Sequence, residues 1–75
     1  MTQPANAVSE PGVFYTVYRD WSGLWRWALH QDSDGSRLAV SKYGAGSAAV
    51  ASRSAAQNRM ERALPPDTLI KVEDR

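Results

Sequence analysis

The residues of this chain that can do chemistry are few. His30 is the single histidine, and no cysteine accompanies it. One imidazole at the end of a strand has no second histidine or thiolate with which to share a metal or build a catalytic triad, so it reads as a surface residue. The segment GAGSAA, Gly44 to Ala49, fits a glycine-rich dinucleotide pattern. That pattern works only in a parallel crossover with a carboxylate closing the next strand, and here hairpins precede it, so it reads as a turn leading into a helix. The run DSDG, Asp32 to Gly35, echoes a calcium loop but lacks the glutamate at its far end, and it reads as a tight turn. No carboxylate pair is spaced for acid–base work. The sequence therefore predicts no enzyme, no cofactor and no metal site.

What stands out is aromatic. All three tryptophans, Trp21, Trp25 and Trp27, fall within RDWSGLWRWALHQ, with Arg26 between the last two. Such a cluster can be a nucleic-acid platform, a protein-binding hot spot or a core. Nine Lys+Arg against eight Asp+Glu give a net charge of +1. That is far from the basic excess of a strong phosphate binder and as far from the acidity of a DNA mimic. No apolar run matches a membrane span or a signal-peptide core, and a soluble, cytoplasmic protein is expected. A length of 75 residues predicts one domain near the lower size limit for a core without disulfides.

Residues 1–11 are polar and proline-punctuated, and they are expected to form a flexible arm ahead of a single α+β domain over 12–75. From Gly12 onward, VFYTVYRD, LWRWALHQ and SRLAVSKY alternate apolar and polar residues, separated by WSG and DSDG, which predicts a three-stranded antiparallel meander. Period-two alternation sends Tyr15, Val17, Trp25, Trp27, Leu29, Leu38 and Val40 to one face. It sends Phe14, Thr16, Tyr18, Arg26, Ala28, His30, Arg37 and Ala39 to the other. Trp21 sits in the turn. The alanine-rich run from Ser47 to Leu64 predicts a helix capped by Ser47 that covers the inner face. Its expected apolar stripe is Ala49, Ala56, Met60 and Ala63/Leu64, with Ser54, Asn58, Glu61 and Arg62 opposite. LPPD ends the helix, and TLIKVE predicts a fourth strand with Ile70 and Val72 inward. The element order is β-β-β-α-β.

With these residues placed, the stretch from Tyr15 to Gly44 resembles the YegP-like domain, a small bacterial and archaeal module of unknown function. The similarity lies in Tyr15, Val17, Tyr18 and Asp20, in Gly23, Trp25, Arg26, Trp27 and Leu29, and in Gly35, Leu38, Val40, Ser41 and Tyr43. The chain departs from that pattern with Ser-Asp-Gly in place of Asn-Gly, with Gly44 and Gly46 before the helix, and with the added tail PPDTLIKVE. The resemblance covers about 30 residues. It implies a three-stranded antiparallel sheet on one helix, often in tandem repeats or homodimers.

The open sheet face carries the functional expectation. Tyr and Arg are the types favoured at binding hot spots, and Phe14, Tyr18, Arg26, His30 and Arg37 would line a partner surface there, centred on Tyr18 and Arg26. The partner expected is a protein or a second copy of the chain. A phage or mobile-element inhibitor that blocks a bacterial complex sterically, as small anti-CRISPR proteins do, is the form this takes by analogy of size and element order. The alternative is a DNA-binding sheet like the arm-binding domains of phage integrases, entering the major groove, against which the near-neutral charge counts.

Overall fold

The computed structural model describes residues 12–73, so the arm expected over 1–11, and residues 74 and 75, lie outside the described residues. The elements are β1 (Val13–Arg19), β2 (Trp25–Gln31), β3 (Arg37–Val40), α1 (Ala48–Glu61) and β4 (Ile70–Val72), in the order expected of a small α+β fold. The β-branched and aromatic residues of β1 and β2 favour pleated backbone, and the two strands pair antiparallel with Val17 opposite Trp27 and Tyr18 opposite Arg26. β3 pairs antiparallel with the far side of β2. After β3 the chain crosses by way of α1, and β4 runs parallel to β1 on its free side. The four-stranded sheet is therefore mixed, ordered β3-β2-β1-β4.

The inner face holds the core. Tyr15, Val17, Trp27 and Leu29 are buried against Ala51 and Ala55 of the helix, and the Tyr15 and Trp27 rings meet edge to face at 5.5 Å. The two alanines allow α1 to lie close enough for these large side chains to be covered. Both aromatic rings also carry a polar atom that needs a partner once buried. Tyr15 Oη donates to Asn58 Oδ1 at 2.7 Å, and Trp27 Nε1 donates to Ser54 Oγ at 3.0 Å. Burial raises the Tyr15 phenol above its ordinary value, against the opposing pull of Arg62 and Arg59.

Those two hydrogen bonds explain why the helix is turned differently from the expectation. The sheet side is Ala48, Ala51, Ala55 and the polar pair Ser54 and Asn58, whereas Ala49 is exposed and Met60 is 79% exposed. Alanine occurs all around this helix, so its sequence carries almost no facial contrast. The sheet's phenol and indole N–H then select the side that offers acceptors.

A second correction concerns β3. The register shifts between Leu29 and His30, so that Ala39 sits opposite Leu29 and Arg37 opposite His30, with Leu38 as the additional residue. Ala39 therefore packs on the core, while Leu38 and Val40 are 52% and 41% exposed. One inserted residue reverses the faces beyond it, which simple alternation cannot anticipate.

Ser47 caps the helix as expected, its Oγ accepting from Val50 N. At the other end Leu64 N donates to Arg59 O and Ala63 N to Met60 O. This reverse-turn closure places Ala63 in the left-handed region, at φ 57°. Glycine normally fills that position because a Cβ is strained there. Ala63→Gly is expected to raise the unfolding free energy by up to about 1 kcal/mol, measured by urea denaturation.

Candidate functional site: the outer face of the sheet

Among the described residues α1 covers one face only and the other is open, and pairing sets its side chains in rows. Phe14 lies opposite His30, which on its other side lies opposite Arg37; Thr16 lies between Ala28 and Lys71; Tyr18 lies opposite Arg26. Thr16 and Ala28 are buried, and Thr16 floors a shallow depression of about 410 Å³ walled by Phe14, Tyr18, Arg19, His30, Arg37 and Glu73. The five residues expected on this face are thus brought together. The sequence reading missed Arg19 and Glu73, which line the depression, and two further neighbours. Lys71 enters because β4 docks beside β1, and Val40 enters through the register shift. Outward placement of Lys71 was legible once Ile70 and Val72 were read as inward; what could not be read was the edge that β4 joins.

Each ring on this face lies near a cation. Lys71 Nζ stands 4.7 Å from the Phe14 ring centre, and the Arg37 guanidinium reaches to 5.9 Å from that of Tyr18. Exposed contacts of this kind contribute about 0.5–1 kcal/mol each. His30 stacks on Phe14 with centroids 5.0 Å apart. Its Nδ1 lies 3.1 Å from Gly35 O and its Nε2 lies 2.8 Å from Thr16 Oγ1. A carbonyl can only accept, so Nδ1 donates to Gly35 O, and Nε2 pairs with the threonine hydroxyl. With both nitrogens engaged, His30 holds the floor of the depression together, a more structural place than the free surface position expected.

Arg26 is also committed. Its guanidinium donates to Ser41 O and stands 3.9 Å from Asp20 Oδ2, while its Nε is buried without a partner. Ser41 in turn is buried, accepts from Trp27 N through its Oγ and donates its own N–H to Trp27 O. Arg26 therefore ties the end of β3 to β2, and only part of its guanidinium faces outward.

The turn between β1 and β2 borders this face. Asp20 Oδ1 accepts from Ser22 Oγ at 2.6 Å, Ser22 N at 2.9 Å and Leu24 N at 3.1 Å. The Ser22 hydroxyl, foremost, and these amides hold the Asp20 carboxyl below its ordinary value. Gly23 supplies the required φ of 88°. On this fixed turn Trp21 is 98% exposed, whereas Trp27 is 7% exposed and Trp25 is half-buried beside Arg19.

Among the described residues, no cluster of histidine, cysteine or carboxylates could hold a metal, and no helix is long and apolar enough to cross a membrane. No family model matches the sequence, and no curated protein or solved structure matches it either.

Proposed function

We propose that this chain is a non-enzymatic binding module that engages a protein partner through the outer face of its sheet. One observation carries the reading. The face that α1 leaves bare among the described residues gathers two aromatic rings and the cations Arg19 and Arg37 around one depression, with Lys71 over the Phe14 ring and Arg26 in the adjoining depression. Aromatic residues and arginine dominate the energetics of protein interfaces when a partner desolvates them. The YegP-like resemblance is compatible with such a module, and a steric blocker of a bacterial complex would need no further chemistry.

A double substitution that spares the fold tests this. Tyr18→Ser with Arg37→Glu removes a ring and reverses a charge without touching the Arg26–Ser41 tie. The melting temperature is expected to stay within a few degrees of wild type, while capture of the partner that wild type retains from a bacterial lysate is lost. Equal capture by both proteins would place the interface elsewhere. The alternative, a sheet entering the DNA major groove, draws on the same cations and predicts a different salt response. Duplex binding that is tight at about 50 mM salt and collapses by about 200 mM would favour DNA. The protein reading expects no shift of a duplex at micromolar concentration even at the lower salt.

A further inference from the structure

We infer that Trp21 is the anchor of this interface, and that its partner is a protein surface with an apolar pocket rimmed by carboxylates. The inference rests on the outer-face reading above and adds to it the kind of partner.

Trp21 is the one tryptophan that the fold leaves unused, at 98% exposure. An indole in that position gains nothing from folding, yet the turn that presents it is closely specified. Three hydrogen bonds to Asp20 Oδ1, a left-handed Gly23 and the Asp20 N to Leu24 O bond at 2.8 Å all hold the backbone beneath it. A ring on a preorganised turn loses little conformational freedom on binding, which is what an anchor residue requires.

Charge defines what surrounds the anchor. The ring borders a second depression, continuous with the first through Tyr18 and Arg37, whose wall also includes Arg19 and Arg26. Asp20 is its carboxylate, and that charge is already engaged by the turn and stands near Arg26. With Arg26 held by Asp20, Arg19 and Arg37 outnumber Glu73, the other carboxylate lining the two depressions, and complement an acidic rim. The same geometry argues against a nucleic acid. Successive bases need several free rings, but Phe14 and Tyr18 are already faced by Lys71 and Arg37, so among the described residues lining the two depressions Trp21 alone offers an aromatic ring with no cation over it. A net charge of +1 for the whole chain adds little long-range attraction for a polyanion.

The test is selection of random displayed 16-residue peptides (about that length suffices to span both depressions at ~3.3 Å per residue) on the immobilised full chain, with affinities of the winners then measured by calorimetry. The expected winners carry a bulky apolar residue flanked by Asp and Glu. Trp21→Ala, with an unchanged melting temperature, is expected to weaken them about 30-fold, and Arg37→Glu about tenfold. Failure to select any peptide, or winners that are neutral or basic, would overturn the proposal. So would single-stranded oligothymidine binding more tightly than the winners. If Trp21→Ala binds as wild type while Tyr18→Ser with Arg37→Glu does not, the anchor is wrong and the outer-face reading survives. If neither substitution weakens binding, both are wrong.

Discussion

Trp27→Ala is expected to lower the unfolding free energy by about 3–5 kcal/mol, whereas Trp21→Ala should change it by less than about 0.5 kcal/mol. The two residues are six apart in sequence and opposite in environment. Trp27 is 7% exposed, lies edge-on to Tyr15 and donates its indole N–H to Ser54. Its removal opens a cavity between sheet and helix and leaves that hydroxyl without its partner. A domain of this size has total stability on the order of 5 kcal/mol, so the Trp27 variant should be largely unfolded at ordinary temperature. Urea denaturation followed by far-ultraviolet circular dichroism measures both. Similar losses in the two variants would mean that the core has been misassigned.

A charge at the helix–sheet contact should be nearly as damaging. Ala55 is fully buried between Tyr15, Val17 and Trp27 on the inner side of α1. Ala55→Glu would force a carboxylate into that filled contact, with the cation one turn on, Arg59, already donating to Thr68 O, at an expected cost of about 3 kcal/mol or more. Ala49→Glu is the control. Ala49 is exposed in the first turn of the same helix, where no acidic residue now stands. A carboxylate there favours the helix dipole and should be neutral or add a few tenths of a kcal/mol. Thermal melts of the two variants decide which face of α1 meets the sheet. The stripe suggested by the sequence, through Ala49 and Met60, would produce the reverse ranking.

Much of the outer face could be read from residue order. Phe14, Tyr18, Arg26 and His30 lie on two strands of unbroken alternation joined by a short turn, and one register aligns all four. Arg37 reached the same face despite the shifted register, because the additional residue lies after it. Ala39, Leu38 and Val40 come later in β3, so their faces were reversed. Trp21 could be set apart as a turn residue, but its near-complete exposure depends on no other described residue folding back over the turn. Lys71 belongs to a strand whose existence was evident and whose neighbour was not.

Local order along the chain determined the elements themselves: three β-rich segments divided by turn residues, an alanine helix opened by Ser47 and stopped by two prolines, and a last short strand. It did so because strand alternation, turn chemistry and helix capping act over a few residues and leave a direct trace in the sequence. Only the tertiary structure decided the docking of β4 beside β1, the register shift that turned Ala39 onto the core, and the rotation of α1 that brought Ser54 and Asn58 within reach of the aromatic core. The physical reason is common to all three. Each is chosen by partners many residues away: β1's free edge, the β2 ladder, and the buried Tyr15 hydroxyl and Trp27 indole N–H that required acceptors from the helix.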